Sequence, residues 1–326
     1  MDPMQILDTI QNHVSQAWAY RKQGRDSDME TQIDSMLSLL EDLIDRSYDR
    51  FATLDDEEEI RPVKSQDIQK ARQLTQTILV RIVSGEMSIA DEQIDRAAKA
   101  MAHLSGRGAA GAMVGTWYIP YLDSNGVRES VSLKIHEPSF IGNDIGFKTW
   151  GAAPLMAKRL VQERFLPNLE NQTVIELGTG TGMVGLICAK LGAASTDLTD
   201  YHPSVLENVA INVKLNEVQA NVSKLDFIEL ATNPDSVWRN RKFDVVIASD
   251  LLYEMEHAEY LPVAIELLMT DVFYFMIPLR ATHTKEVALF ERRMEEIGLY
   301  LDQTSDQEVE EDEGWVRYRF YSYIRA

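Results

Sequence analysis

Cysteine is almost missing from this chain: its 326 residues hold one, Cys188. No disulfide can form within the chain, which suits a reducing compartment, and the apolar neighbours of Cys188 predict a small core residue. The six histidines are scattered and none stands with the cysteine at metal-ligand spacing, so no metal site is expected. No Ser-His-Asp order with a nucleophile elbow is present, which sets acyl-enzyme chemistry aside. No apolar run approaches the roughly 20 residues that span a bilayer. Met1-Asp2-Pro3-Met4 lacks a basic region ahead of a hydrophobic stretch, so no secretory signal and a cytoplasmic location are expected. Positive charge is also short, with 32 Lys and Arg against 52 Asp and Glu, a net charge of -20. A phosphate-backbone binder needs a basic face, so direct nucleic-acid contact and membrane contact are not expected. A basic protein surface is the better complement, and solubility alone is the plainer account of the acidity.

What is present centres on Thr173 to Gly192. Val174-Ile175-Glu176-Leu177 reads as a short buried parallel strand. Gly178, Gly180 and Gly182 follow at alternate positions, and Met183, Leu186, Ile187 and Leu191 then recur at helical spacing. Strand, glycine turn and helix form the front half of a nucleotide-binding unit, in which a side chain would hold the ligand off the backbone. Gly180-x-Gly182-x-x-Gly185 contains the dinucleotide spacing, a weak signal alone. Glu176 before the first glycine and Asp200 about twenty residues on sharpen it, since a carboxylate at that distance can accept both ribose hydroxyls. No Lys-Ser/Thr pair ends the loop, so nucleoside binding is expected and triphosphate hydrolysis is not.

Glu176-Leu177-Gly178-Thr179-Gly180-Thr181-Gly182 resembles motif I of the seven-β-strand methyltransferases, which use S-adenosylmethionine. Phe243 to Ser249 followed by Asp250-Leu251-Leu252-Tyr253 resembles the fourth strand and Asp-x-x-Tyr motif of their protein-lysine members. Phe147-Lys148-Thr149-Trp150-Gly151 resembles the tryptophan segment ahead of motif I. The likeness covers about residues 140 to 280. It implies an α/β, Rossmann-like seven-stranded sheet and a protein-lysine N-methyltransferase with S-adenosylmethionine as cofactor. Fungal members with an extra N-terminal helical region act on translation elongation factors, so elongation factor 2 is the expected substrate. A small-molecule or RNA methyltransferase, or an inactive binding or chaperone module, are the alternatives.

In chain order, residues 4 to 104 read as a helical bundle for recognising substrate or partner. Ile6, Ile10, Val14 and Ala17 mark one stripe, and Ile33 through Leu43, Ile44, Tyr48 and Phe51 a longer one. Asp55 to Glu59, with Pro62 beyond, reads as a solvated loop or helix end; Ile68 to Ile82 and Ile94 to Leu104 resume the helical period. Residues 105 to 112 read as a glycine-rich linker, and 113 to 326 as a β-hairpin plus catalytic domain. Asn125-Gly126 between two β-prone runs predicts the hairpin turn. Gly142 to Gly146 leads to Trp150, with a helix from Ala153 to Gln162. Strands are expected at Ala194–Thr199, Val222–Phe227, Asp244–Ala248 and Val272–Ile277. A helix opened by Pro203 should carry Val205, Leu206, Val209, Ile211, Val213 and Leu215. Helices at Glu259–Met269 and Lys285–Ile297 complete the alternation. An antiparallel pair, Tyr300–Thr304 and Trp315–Ile324, should be joined by an acidic loop of Glu308, Glu310, Glu311, Asp312 and Glu313, either a solvated turn or a lure for a basic substrate.

Ligands in such sheets sit beyond the C-terminal strand ends, which gathers Glu176, Gly178, Thr179, Gly180, Asp200, Asp226, Phe227 and Ser249-Asp250 on one edge. Asp200 is expected on the ribose, with helix capping as its rival; Glu176 shapes the loop or lies near the methionine end. The resemblance puts Phe227 beside the adenine, where relatives often have Trp, with Asp226 competing for the adenine edge. It carries Trp150 over to the cofactor pocket, with core packing as the alternative. Asp250 and Tyr253 are the catalytic candidates: the carboxylate orients the lysine nitrogen, and the phenol lines its channel, unless Asp250 merely caps a helix. Arg280 resembles a recurring arginine, structural or substrate-contacting.

Overall fold

A computed structural model describes residues 1–52, 54, 63–83, 89–106, 109–139, 146, 148–166, 168–311 and 314–325. The acidic run Asp55–Glu59 with Pro62, Arg107-Gly108 of the linker, residues 142 to 145 and Phe147 ahead of Trp150, and Asp312-Glu313 lie outside them. The chain divides into two compact units. The smaller takes the described residues of Met1–Phe51, Glu59–Trp117 and Pro138–Asp144, and the larger takes most of the remainder, including Tyr118–Glu137 and Ile145–Ala326.

In the smaller unit, α1 (Pro3–Lys22) starts on a capping box, Asp2 accepting from the Met4 amide while Gln5 reaches back to the Asp2 amide. α2 (Asp26–Ser47) buries Met29, Ile33, Met36, Leu37, Leu40, Leu43 and Ile44 along one stripe. The stripe does not run on to Phe51 as the periodicity predicts. The Arg50 guanidinium donates to the carbonyls of Ser47 and Asp49, which closes the helix end, and Phe51 belongs to a two-residue strand, β1 (Arg50–Phe51). α3 (Ser65–Val83) and α4 (Asp91–Leu104) supply Ala71, Ile78, Ala97 and Leu104 to the same core. Arg96 of α4 ties to Asp34 and Glu41 of α2, both at 2.7 Å.

β2 (Met113–Leu122) and β3 (Arg128–Glu137) form the predicted hairpin. Asp123 Oδ1 accepts from the amides of Asn125 and Val127, and Gly126 takes the left-handed conformation (φ 75°) that the turn requires.

In the larger unit, α5 (Ala152–Glu163) precedes β4 (Thr173–Leu177), α6 (Met183–Lys190), β5 (Ser195–Asp200), α7 (Pro203–Leu215), β6 (Asn221–Lys224), α8 (Phe227–Thr232), β7 (Phe243–Ser249), α9 (Met255–Leu268), β8 (Met269–Pro278), α10 (Thr284–Glu296), β9 (Leu299–Glu311) and β10 (Gly314–Arg325). The sheet order is β6-β5-β4-β7-β8-β10-β9. The first five strands are parallel, and β10 runs antiparallel to both neighbours. This is the seven-stranded Rossmann-like sheet the resemblance implies. Its central strands are buried on both faces, as continuous apolar runs require, and Cys188 is buried on α6.

Three local readings differ. The third strand stops at Lys224 rather than Phe227, because the Asp226 carboxylate accepts from the amides of Ile228 and Glu229 and starts α8. β9 runs on through Glu308, Glu310 and Glu311, so these are strand residues and not a loop. Cross-strand cations account for the extension: Arg317 faces Glu308 and Arg319 faces Asp306, each at 2.7 Å. On α7 the buried face is partly polar. Asn208 and Asn212 are buried with Val205 and Val209, while Ile211 is 43% exposed.

Those asparagines follow from geometry. Four helical residues rise ~6 Å and two strand residues ~6.6 Å. Asn212 and Asn216 therefore meet alternate residues of β3. Asn216 exchanges bonds with the Lys134 amide and carbonyl (2.8 and 2.6 Å), and Asn212 with those of His136 (2.7 and 3.2 Å). Asn208 bonds the His136 ring and carbonyl. Asn212 also donates to the Thr181 carbonyl at 2.8 Å, tying the hairpin to the glycine turn. We predict that Asn212→Leu, which takes the side-chain partner from the His136 amide and the Thr181 carbonyl while Asn208 still serves the His136 carbonyl, destabilises the fold by ~1–3 kcal/mol for each group left unpaired. Exposed Ile211→Ala should stay within about 0.5 kcal/mol of the parent. Urea unfolding of both variants reads the contrast, and equal effects would contradict it.

Candidate active site

The site begins where β4 ends. Glu176 points back under the turn, 1% exposed, and its Oε2 accepts from Thr179 Oγ1 at 2.5 Å and from the Gly185 amide at 3.0 Å. Its carbonyl accepts from Thr199 Oγ1 at 2.6 Å. The Thr179 amide bonds the Thr199 carbonyl (2.9 Å) and the Gly182 amide the Thr179 carbonyl (2.7 Å), so the turn is fixed from both sides. Gly178 is left-handed (φ 61°), and a Cβ there would collide with Leu251. Gly180 is left-handed as well (φ 54°), but a Cβ there would meet nothing within 4 Å. Its freedom faces open space, the cradle a nucleoside needs.

Asp200 closes β5 beside that cradle. Its Oδ2 lies 3.4 Å from the Gly180 amide and its Oδ1 3.1 Å from the His202 amide. It does not cap α7, whose N-cap is His202. Burial holds its carboxyl above the usual range, against the amides of His202, Gly180 and Tyr201. The structure thus brings Glu176, Gly178, Thr179, Gly180 and Asp200 into one bonded group. Asp226 caps α8, with Oδ1 engaged there, and the residue before it, Leu225, donates its amide to the Asp200 carbonyl at 3.0 Å.

The second group forms where β7 ends. Ser249 is the last residue of β7, opposite Met276 of β8. Asp250 then turns left-handed (φ 54°), rare for a non-glycine residue, while its amide bonds the Met276 carbonyl at 2.9 Å. It is 6% exposed, and its Oδ2 is buried without a partner among the described residues. Burial raises its carboxyl, while nearby Arg280 and a hydrogen bond from the Tyr253 hydroxyl pull it down. The Tyr253 phenol is pushed well up by burial and by Asp250. Asp250 is no helix cap either, since Glu254 opens α9. Asp250 and Arg280 line one small pocket with Ile277, Pro278 and His283.

The sequence did not single out His257. Its ring meets the Phe227 ring edge-on at 5.4 Å and the Tyr253 ring at 6.3 Å, and its Nδ1 accepts from the Tyr253 amide at 3.4 Å. It joins the Asp226-Phe227 stretch to the Asp250–Tyr253 stretch, and its only sequence signal was a position four after Tyr253. Trp150 is half-buried under the Lys148 ammonium, 4.2 Å above its ring. Next to it, Thr149 Oγ1 and Thr181 Oγ1 lie 2.9 Å apart and the Thr149 amide donates to Glu137, so the segment is bound to the glycine turn.

Burial pushes the Glu176 carboxyl up to about 7 from 4.5, despite donors from Thr179 and Gly185. The native chain therefore holds this proton more tightly than the unfolded one. The associated stability is fully present below pH about 4.5 and is lost as pH rises through about 7. Glu176→Gln has no proton to lose. We predict that parent stability falls relative to Glu176→Gln across that window and is flat above it. Denaturant midpoints at closely spaced pH values measure this, and a pH-independent difference would contradict it.

Comparison with known proteins places this geometry. The lysine methyltransferase family matches residues 127–296. Protein-lysine N-methyltransferase rrg1 of Schizosaccharomyces pombe is 32% identical over 213 residues, 60% of this chain and 69% of that one. Protein-lysine N-methyltransferase EFM2 of Saccharomyces cerevisiae is 29% identical over 223 residues, 60% of this chain and about half (52%) of that one. Protein-lysine N-methyltransferase EEF2KMT of Homo sapiens is 35% identical over 119 residues, 33% of this chain and 36% of that one. With its glycine turn, its two strand-end carboxylates and this match, the chain belongs to the lysine methyltransferase family, whose methyl donor is S-adenosylmethionine.

Proposed function

We propose that the chain methylates a lysine of a translation factor, elongation factor 2 first among them, in the cytoplasm. The observation that carries the lysine reading is Asp250: a buried carboxylate in a left-handed turn, with Oδ2 unpartnered among the described residues. An unmet buried acceptor is costly, and an incoming ammonium would satisfy it.

The residues around Gly180 fit a nucleoside, since the turn leaves open space where a Cβ would stand and Asp200 borders it. In this reading Gly178, Thr179 and Gly180 lie along the cofactor backbone-first, and Asp200 accepts from the ribose hydroxyls. Phe227, Asp226, Ser249 and Trp150 border it, and Glu176 holds the turn in shape. S-adenosylmethionine supplies an electrophilic methyl on a sulfonium. Asp250 takes the lysine ammonium and sets its line of approach, and Tyr253 holds Asp250 through its hydroxyl and lines the channel. A lysine of ordinary pKa about 10.4 must shed its proton to attack; a neighbouring positive charge favours that loss, and the proton leaves to solvent. The net charge of -20 suits a basic protein surface, and residues 1–104, joined through 105–112 to the catalytic region 113–326, are assigned to recognising it. Relatives named as protein-lysine N-methyltransferases support this choice over an RNA or small-molecule substrate.

The test is methyl transfer from labelled S-adenosylmethionine to purified elongation factor 2. The expected result is label on one lysine of the factor, reduced on the order of 100-fold or more by Asp250→Asn through lost alignment. Label on a different protein of a cell extract would move the target. Label only on RNA or small molecules, or full transfer by Asp250→Asn, would overturn the lysine reading.

A further inference from the structure

A second carboxylate reaches the strand edge that carries Asp250. Glu311 is the last residue of β9 and is exposed. Two acidic side chains earlier on the strand are matched by cations, Asp306 by Arg319 and Glu308 by Arg317. Glu311 is held instead by a neutral donor: the hydroxyl of Tyr318, itself 2% exposed, donates to its Oε1. A neutral partner fixes the carboxylate without cancelling its charge. Burial and Glu311 together push the Tyr318 phenol well up, so it remains a donor.

Register and packing set where this carboxylate stands. Tyr318 pairs with Pro278 of β8, and Pro278 lines the same small pocket as Asp250 and Arg280. Gly151, beside Trp150, packs against the pair so closely that a Cβ there would collide with both the Tyr318 hydroxyl and Glu311 Oε1. The groups that bear on Asp250 are Arg280 and Lys148, which favour its charge, the Tyr253 hydroxyl, and Glu311, which opposes it. A cation placed beside both carboxylates would relieve that opposition. An ammonium has three donors and no acceptor, more than the one open oxygen of Asp250 can satisfy.

We propose that Glu311, oriented by Tyr318, is a second acceptor for the substrate lysine, taking its ammonium at the surface and sharing it with Asp250. The pair then selects a primary-amine cation on a long flexible stem over neutral and anionic nucleophiles. This rests on Asp250 being the lysine-side carboxylate, and the experiment separates the two claims.

The probes are two S-adenosylhomocysteine analogues with nitrogen in place of sulfur, one bearing an aminobutyl arm and one a plain butyl arm. Calorimetry on the full chain gives the preference for the amine, with S-adenosylhomocysteine as the cofactor control. Glu311→Gln should cut that preference about tenfold, the worth of one charge-assisted hydrogen bond, and leave S-adenosylhomocysteine affinity unchanged. Tyr318→Phe should give a smaller loss of the same kind, and Asp250→Asn should remove the preference. If Glu311→Gln keeps the preference while Asp250→Asn removes it, the role of Glu311 is overturned and the lysine reading stands. If Asp250→Asn keeps it, or the parent shows none, both are overturned. If Glu311→Gln weakens all three ligands equally, the residue supports the fold and the proposal is overturned.

Discussion

The buried carboxylate of Glu176 folds the glycine turn onto the end of β4, and the rest of the site takes its place from that. One oxygen gathers the Thr179 hydroxyl and the Gly185 amide, which draws the first turn of α6 against the strand. The approach is so close that a Cβ on Gly185 would stand 2.8 Å from that oxygen and would collide with Leu198. Burying a carboxylate is costly unless its acceptors are met, and here the turn itself supplies the donors. With the turn fixed, Gly180 faces open space and the Asp200 carboxylate comes alongside it. The Asn212 bond to Thr181 and the Thr149–Thr181 contact then hang the hairpin and the tryptophan segment on the same turn.

The opposite half of the edge is built on tension rather than satisfaction. Asp250 combines a left-handed backbone, burial and an oxygen unmet among the described residues, three features that each cost stability. The surroundings over-determine it: its amide is bound to Met276 of β8, the Tyr253 hydroxyl favours its charged form, and Leu251, the next residue, fills the space left by Gly178. The two halves are thus interlocked, because Gly178 must lack a side chain for the residue after Asp250 to pack. A carboxylate that is satisfied and one that is held in want sit at neighbouring strand ends, β4 and β7.

Much of this was legible in the sequence. The apolar run, the alternate glycines and the helical stripe from Met183 gave the core unit, and Asn125-Gly126 gave the hairpin, because each is a local pattern with a local cause. What escaped depended on partners remote in the chain. Asn208, Asn212 and Asn216 look like a polar helix face until β3 is laid beside them, although their four-residue spacing was a usable signal. Asp226 looked like a strand residue because its capping role competes locally with the apolar pattern of Val222 to Phe227. The length of β9 is decided by Arg317 and Arg319 across the ladder, so an acidic stretch that reads as a loop is a strand. The acidic run marked Glu311 only as one of five carboxylates that could draw a basic substrate; what sets it apart, its hydroxyl partner, lies seven residues on in the next strand.

The central claim is a division of labour: Asp200 serves the cofactor and Asp250 does not. Calorimetric titration of S-adenosylhomocysteine into Asp200→Asn and Asp250→Asn tests it most directly. Loss of a charge-assisted acceptor at the ribose should weaken binding to Asp200→Asn by roughly tenfold or more, with Asp250→Asn matching the parent. Equal weakening of both variants, or unchanged binding to Asp200→Asn, would contradict the account.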